Sequence, residues 1–213
     1  MFYSKIKNTF IILYILSVIN INGCSKTVKP INNHELPENT VLLISIDGFK
    51  WNYIEKASTP NFDKFIHDGI RSEGLIPSFP SKTFPSHITI VTGRHPINHG
   101  IISNRMFDPI FNEYFYIGEN SKPVLDGKWY EAEPIWVTAE KQGKKAMTMF
   151  WPSSGAEIMG VRPSEYFVYD GSISHNERIS QIIRWIDYPP EKRPHLITLY
   201  FSDVDSKGHR YGP

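Results

Sequence analysis

The fold of this chain is decided by the stretch VLLISIDGF, which runs from Val41 to Phe49. Its first six residues form an almost continuous apolar run, as expected of a strand buried on both faces of a parallel sheet. Asp47 follows directly, so this strand delivers a carboxylate at its C-terminal end. Open α/β sheets place ligand-binding groups at that position. The stretch therefore predicts an α/β fold with Asp47 at the functional edge of the sheet.

A second informative stretch, PSKTFPSH, runs from Pro80 to His87 and holds a single threonine, Thr83. Its prolines predict a turn, and the following residues predict a helix over Ser86–Thr92 that Gly93 closes. A hydroxyl group on such a turn lies among free backbone N–H groups, which favour an anion. An acid and a hydroxyl group at two strand ends indicate metal-assisted chemistry on a phosphate-like group.

Strand-like and helix-like segments alternate along the chain, which is typical of a mostly parallel sheet with helices on both faces. Residues 103–132 are rich in aromatic and turn-forming residues and predict a long functional loop. The other predicted strands are Ile70–Ile76, Lys145–Trp151 and His195–Phe201. Three further helices are predicted: one that begins at Thr59-Pro60 and ends before Gly69, one from Glu133-Pro134 to Gln142, and one from Asn176 to Ile186.

A third polar segment, an acidic loop over residues 202–209, follows the last predicted strand and contains Asp205 and His209. Carboxylate and imidazole groups are ligands that Zn²⁺ accepts. Each candidate also has a structural interpretation: Asp47 and Asp205 as caps of a helix or turn, Thr83 as a helix N-cap, and His209 as an exposed side chain. Their joint occurrence at strand ends favours a metal site.

The first 23 residues predict a secretory signal peptide, with Lys5 and Lys7 ahead of an apolar segment that is too short to span a bilayer. Cys24 follows, as in the cleavage box of bacterial lipoproteins, which predicts lipidation and an exported, membrane-anchored protein facing the periplasm or the cell surface. An ordinary signal peptide or a short anchor is the alternative. Residues 24–39 then form a polar tether, and residues 40–213 form the domain.

The composition is that of a globular protein without a strong positive or negative charge. The chain has 213 residues, 40% of them hydrophobic, and a formal charge of +1, so its charge gives no support for nucleic-acid binding. Cys24 is the single cysteine, which excludes an intrachain disulfide.

The chain resembles the nucleotide pyrophosphatase/phosphodiesterases of the alkaline phosphatase superfamily. The nucleophile segment of that family is matched by Phe79–Gly93 followed by His99-Gly100-Ile101, with Ser86 where many members carry asparagine. Further matches are, in order, Asn104 with Met106–Pro109, Glu133–Trp136, Phe150–Pro152, Tyr169–Ser172, Leu199-Tyr200, Asp205, Gly208-His209 and Tyr211–Pro213.

The resemblance implies an alkaline-phosphatase-like fold and a zinc-dependent hydrolase that cleaves nucleotide pyrophosphate or phosphodiester bonds. Thr83 is then the nucleophile, forming a covalent nucleotidyl-threonine, and a nucleoside monophosphate is released. Asp47 and Thr83 hold one Zn²⁺, and Asp205 and His209 hold the other. Asn104 and the Thr83 N–H hydrogen-bond a phosphate oxygen.

Four aromatic residues match family positions near the nucleotide. Phe84 and Tyr169 are the best candidates for binding the nucleobase, because aromatic rings stack on any nucleobase. Trp151 and Tyr200 fit the substrate pocket and the hydrophobic core equally well.

The same superfamily also includes sulfatases, phosphomonoesterases and phosphodiesterases of lipid headgroups. The residues argue strongly against a sulfatase, because Thr83 cannot give a formylglycine and the arginine of the sulfatase motif is absent. A phosphodiesterase of lipid headgroups or another superfamily phosphatase remains an alternative, as does an inactive binding lipoprotein.

The resemblance also implies further zinc ligands, an Asp-His pair and another His, C-terminal to His209. Because the sequence ends at Pro213, we expect an incomplete domain that alone is inactive and holds its two zinc ions weakly. The sequence is then either part of a longer domain or a product that needs a second chain.

Overall fold

The computed structural model describes residues 39–118 and 121–212. The predicted signal peptide, Cys24 and the predicted tether up to Glu38 lie outside these residues, as does Pro213, so those predictions stay predictions. The described residues form these strands and α-helices in chain order: β1 (Val41–Ile46), α1 (Pro60–Asp68), α2 (Thr83–Thr92), α3 (Pro96–His99), β2 (Arg105–Asp108), β3 (Glu113–Tyr116), α4 (Ile135–Lys141), β4 (Ala146–Met149), β5 (Glu165–Phe167), α5 (His175–Ile186), β6 (Leu196–Phe201) and α6 (Asp203–Tyr211). Three short 3-10 helices cover Tyr53–Lys56, Pro123–Leu125 and Gly127–Trp129.

The main sheet has four strands in the order β1-β6-β4-β5, and all neighbours are parallel. Val41 pairs with Leu196, and Leu196 also pairs with Ala146, so β1, β6 and β4 start level with one another. The carboxyl ends of all four strands consequently share one edge. The predicted α/β class with a mostly parallel sheet is confirmed.

Helices cover both faces of the sheet, as predicted. On one face Ile88 and Val91 of α2 and Trp136 of α4 pack with Ala146 and Leu196. On the other face α5 supplies Ile182 and Trp185, which pack with residues of β4 and β6, namely Met147, Met149, Ile197 and Leu199. The core therefore consists of two apolar layers separated by the sheet.

Strand β1 has the predicted bounds, but the prediction that it is buried on both faces is wrong. Val41 is 61% exposed and Ile44 is 51% exposed. Among the described residues β1 pairs with β6 alone, so its outer edge has no neighbour. An apolar run identifies a strand, but the position of that strand in the sheet decides its burial.

The predicted strand over Ile70–Ile76 is also wrong. This segment has no regular structure, and Ile70, Leu75 and Ile76 are largely exposed. A β-strand needs a hydrogen-bonding neighbour, and the described residues supply none here. The turn that carries Thr83 therefore does not follow a strand.

Two segments predicted as loops contain regular structure. Residues 105–116 form the antiparallel hairpin β2–β3, in which Phe115 is fully buried. Residues 203–211 form helix α6, in which Gly208 is accommodated without ending the helix. Asp205 and His209 thus lie one helical turn apart rather than on a loop.

Helix α2 begins at Thr83, three residues earlier than predicted. Pro85 fits in its first turn because the N–H groups there have no intrahelical partner. Gly93 ends α2 as predicted, with a left-handed φ of 63° and its N–H donating to the Thr89 carbonyl. Within the described ranges, no helix is both long enough and apolar enough to cross a membrane.

Candidate active site

Asp47 lies at the carboxyl end of β1, and both of its oxygens accept hydrogen bonds. Oδ1 accepts from the Gly48 N–H at 3.0 Å, and Oδ2 accepts from the Tyr200 hydroxyl at 2.9 Å. Tyr200 is the β6 neighbour of Ser45, so the hydrogen bond joins two adjacent strands at their ends. The carboxylate is therefore held in one orientation at the shared edge of the sheet.

Asp205 lies in the first turn of α6, directly against the Asp47 turn. A Cβ atom at Gly48 would come within 2.6 Å of the Asp205 Cα, so only glycine allows this approach. Gly48 also has a φ of 69°, a left-handed conformation that glycine adopts without strain. The fold therefore brings together two carboxylates that are distant in sequence.

His209 follows Asp205 by one helical turn. Its Nε2 lies 3.5 Å from Asp205 Oδ1, and its side chain is 82% exposed. The imidazole and the carboxylate thus present a nitrogen and an oxygen donor at the solvent side of the site.

The two carboxylates repel each other. Burial first, and then the charge of Asp47, raise the pKa of Asp205, while His209 and His87 oppose the shift. Burial and the Asp47 charge also raise the pKa of Tyr200, which keeps its hydroxyl protonated as a donor. A cation between the carboxylates would relieve the repulsion.

Thr83 is the first residue of α2, and His87 connects its turn to β1. His87 Nδ1 lies 2.7 Å from the Thr83 carbonyl oxygen, and Nε2 lies 2.7 Å from Ser45 Oγ. Ser45 lies in β1 two residues before Asp47, so this hydrogen bond reaches the strand close to its carboxyl end. The turn that carries Thr83 is therefore tied to the strand that carries Asp47.

Asn104 lies immediately before β2, and its Oδ1 accepts from the Phe84 N–H at 3.0 Å. Because the carbonyl oxygen has to face this N–H, the amide nitrogen is left to donate elsewhere. An amide donor is thereby placed beside the first turn of α2. This geometry goes beyond a turn-forming role, the alternative interpretation of an asparagine in a loop.

The four aromatic candidates differ in exposure. Trp151 and Tyr200 are buried, and their polar atoms donate to the His87 carbonyl at 3.4 Å and to Asp47. Phe84 is half-buried and contacts Phe115 edge-on at 5.7 Å. Tyr169 is 50% exposed, with its hydroxyl 2.8 Å from Ser202 Oγ. Burial favours the core role for Trp151 and Tyr200 and leaves Tyr169 the most accessible ring.

The donor types of the site fit zinc, which accepts carboxylate oxygen and imidazole nitrogen. A second sign of fit is that burial, and after it the nearby charge of Asp47, raise the pKa of Asp205. Over the described part of the chain, however, no three His, Cys, Asp or Glu side chains come together as a metal-binding group. The donors present therefore match zinc in kind and form pairs rather than a full set.

Three residues of the site were not singled out from the sequence: Ser45, Gly48 and His87. A local signal existed for His87, because it lies one helical turn after Thr83. The signal for Ser45 was weaker: it is a polar residue inside an apolar strand, two positions before Asp47. Neither pattern identifies the other partner, which lies 42 residues away in sequence.

Known proteins resemble this chain over the same residues. The family described as type I phosphodiesterase / nucleotide pyrophosphatase matches residues 41–213. Human ectonucleotide pyrophosphatase/phosphodiesterase family member 1 is 44% identical over 174 residues, which cover 81% of this chain and 19% of that protein. Member 3 from Bos taurus is 44% identical over 175 residues, covering 81% and 20%.

Solved structures show the same fold. Murine member 5 superposes with a TM-score of 0.77 at 36% identity, covering 82% of this chain and 46% of that one. An inactive threonine-to-alanine variant of murine member 5, solved in complex with AMP, superposes with the same TM-score at 35% identity, again over 82% of this chain and 46% of that one. The chain thus spans about half the length of these solved relatives and about a fifth of the curated ones. By this match it belongs to the type I phosphodiesterase / nucleotide pyrophosphatase family.

Proposed function

We propose that this chain carries the nucleophile half of a zinc-dependent phosphodiesterase that cleaves nucleotide pyrophosphate or phosphodiester bonds and releases a nucleoside monophosphate. The observation that carries the proposal is the meeting of Asp47, Asp205 and the Thr83 turn at one end of the sheet. Family membership supports the reaction class.

Two zinc ions fit the donor pairs, one held by Asp47 and Thr83 and the other by Asp205 and His209. The remaining coordination positions fall to water, substrate or protein groups outside the described residues. When bound, the metal supplies Lewis-acid stabilisation of charge on the attacking and leaving oxygens.

Thr83 is the proposed nucleophile. The Thr83 hydroxyl gives up its proton to solvent as its Oγ1 forms a bond to phosphorus, and the bond from phosphorus to the leaving oxygen breaks, which gives a covalent nucleotidyl-threonine. Water then attacks the same phosphorus, and the P–O bond to Thr83 breaks to release the monophosphate. The inactive threonine-to-alanine variant of murine member 5 supports an essential threonine in this family.

Asn104 and the backbone of α2 hold the phosphate. The Asn104 amide nitrogen and the Thr83 N–H donate to a non-bridging oxygen, because the Phe84 N–H already serves Asn104 Oδ1. Donors that are fixed before substrate binds stabilise charge as it develops. Two such donors suit a diester, which has two non-bridging oxygens.

Tyr169 and Phe84 are the proposed contacts of the nucleoside. The exposed ring of Tyr169 offers a face for stacking, and its hydroxyl is anchored on Ser202. The AMP complex of murine member 5 supports a nucleotide ligand. Trp151 and Tyr200, being buried, act by holding His87 and Asp47 in place.

Hydrolysis of two chromogenic substrates by the complete protein tests the proposal. We expect a higher kcat/KM for p-nitrophenyl-thymidine-monophosphate than for p-nitrophenyl phosphate, and loss of both activities in Thr83→Ala. Thr92→Ala is the matched control, because Thr92 closes the other end of α2 and donates to the Ile88 carbonyl. Equal or inverted kcat/KM values would assign the site to a phosphomonoesterase, and an active Thr83→Ala variant would remove Thr83 from the mechanism.

Export also belongs to the proposal. The matched human and murine relatives are named as ectoenzymes, which agrees with a protein that leaves the cytoplasm. The lipidation of Cys24 rests on the sequence pattern alone, and the matched relatives are eukaryotic. Processing that is unchanged by Cys24→Ser or by globomycin would leave an ordinary signal peptide.

A further inference from the structure

We propose that His87 is a positioning residue that fixes the distance between the turn carrying Thr83 and the strand carrying Asp47. The inference rests on the proposed function, because it concerns how the nucleophile is held against the metal-binding edge. It assigns a role to a residue outside the groups proposed to hold the phosphate and the metal. Its basis is the environment of the His87 ring.

The ring of His87 is almost fully buried and held on two sides. Trp151 and Tyr200 pack edge-on against it, with ring centroids 5.3 and 5.2 Å away. The ring nitrogens lie 2.7 Å from the Thr83 carbonyl oxygen and 2.7 Å from Ser45 Oγ. A buried imidazole with both nitrogens bonded has a single orientation that satisfies them.

The chemistry of the partners decides the tautomer. A carbonyl oxygen only accepts, so Nδ1 carries the hydrogen and donates to Thr83. The neutral imidazole has a single N–H. Nε2 is then bare and accepts from the Ser45 hydroxyl. The path from the Thr83 turn to β1 thus consists of two hydrogen bonds that point in the same direction.

This path has a functional consequence because of where its two ends lie. One end is the carbonyl of the proposed nucleophile residue, and the other is two residues from Asp47. Reacting groups have to be held within about 0.5 Å of the productive geometry, and a misplacement of about 1 Å can cost about 100-fold in rate. His87 is the side chain that sets this spacing across the gap between α2 and β1.

His99 provides the contrast. It is also fully buried and hydrogen-bonded, but its partners are Thr89 Oγ1 at 3.1 Å and the Ile101 N–H at 3.3 Å. The Pro85 carbonyl in α2 also faces the His99 ring. None of these partners belongs to β1, so His99 does not link α2 to the strand that leads to Asp47. A general packing role predicts the same behaviour for both histidines, whereas a positioning role predicts a difference.

The first test does not depend on activity. Long-range ¹H–¹⁵N NMR of the full chain should show a neutral His87 with the proton on Nδ1. Amide hydrogen exchange at Ser86 and His87, in the first turn of α2, should accelerate in Ser45→Ala and stay unchanged in His99→Asn. A proton on Nε2, or equal exchange in the two variants, would overturn the proposal even if the chain is an active phosphodiesterase.

The second test is a double-mutant cycle in which kcat and KM of the complete protein are measured. Ser45→Ala and His87→Asn break the same link, so each should lower kcat by about 10- to 100-fold with little change in KM, and the double variant should lose no more than His87→Asn alone. His99→Asn should lower the melting temperature without that loss of kcat. Additive losses, or an equal kcat loss in His99→Asn, would refute the positioning role. A complete wild-type protein without diesterase activity would contradict the proposed function, and the NMR and exchange results would still decide the role of His87.

Discussion

Ser153 is a buried non-glycine residue in a left-handed backbone conformation, with a φ of 79°. It follows Phe150, which has a φ of 64°, on the turn that leaves β4. Between them, Trp151 donates to the His87 carbonyl. The strained turn thus aims an indole at the helix that carries Thr83, which is the kind of place where proteins retain backbone strain.

Replacing Ser153 by glycine should relieve part of that strain. A left-handed non-glycine residue costs on the order of 1–3 kcal/mol, and the added chain entropy of glycine offsets about 0.5–1 kcal/mol, so Ser153→Gly should stabilise the fold by about 1 kcal/mol. Urea unfolding measures this difference. Ser154→Gly is the control: this neighbour is also buried but has no positive φ, so it should lose stability. Destabilisation by both variants would show that position 153 is not strained.

Helix α5 carries a buried arginine that holds several elements together. Arg178 donates to the carbonyls of Ile173 at 3.0 Å and Tyr200 at 3.4 Å. Its guanidinium also lies over the rings of Phe150 and Phe201, at 4.9 and 5.8 Å. The ends of β4 and β6 and the start of α5 therefore meet on one side chain, just behind the Tyr200 that donates to Asp47.

Arg178→Leu should destabilise the fold by about 2–4 kcal/mol, because two carbonyl groups lose a charged donor in a buried place. Arg178→Lys keeps the charge, yet it should recover only part of the loss, since one ammonium group cannot replace the planar fork that reaches two carbonyls. Urea unfolding is the measurement. Arg184→Leu on the same helix is the control: Arg184 is exposed, and its hydrogen bond within the described residues is to Gln181, so its effect should stay within about 0.5 kcal/mol. An equal effect of Arg178→Leu and Arg184→Leu would contradict this role.

At the scale of the whole molecule, the fold places Asp47 and Asp205 together at one edge of the sheet. Without a bound metal, this arrangement lowers the free energy of unfolding. The pKa of Asp205 is raised above its unfolded value by burial and by Asp47. The folded chain therefore binds a proton at Asp205 more readily than the unfolded chain does. Stability falls as the pH rises through the raised pKa, and a cation at the site opposes that loss.

Zinc should therefore raise the melting temperature of the full chain at neutral pH, and EDTA should reverse the effect. A ligand present at about 100 times its Kd stabilises by about 2.7 kcal/mol. Asp205→Asn should abolish the response and, without metal, should be more stable than the wild type. Asp203→Asn is the matched control, because Asp203 lies on the same helix but pairs with His175 at 2.7 Å. An unchanged zinc response in Asp205→Asn would exclude Asp205 as a ligand.

The exposed apolar surface was not predictable from the pattern. Ile76 and Phe79 line an apolar groove of about 510 Å³ with Ile97 and Ile102, beside the turn that carries Thr83. The segment Ile70–Ile76 is apolar only at its two ends, and a strand prediction there assumes a neighbouring strand to pair with. Whether a neighbour exists depends on the arrangement of the whole fold. The same reasoning explains why β1 was recognised as a strand and its exposure was not.

The sequence by itself determined what depends on near neighbours in the chain. The apolar run before Asp47 specifies a strand, and Gly93 specifies the end of α2. The tertiary structure decided which of these residues meet. Tyr200 reaches Asp47 across 153 residues, and Ser45 reaches His87 across 42. Such contacts follow from the strand order β1-β6-β4-β5 and from the close approach at Gly48. Local patterns encode the period and the ends of an element, whereas the neighbours of a strand are chosen by the free energy of the whole packed core.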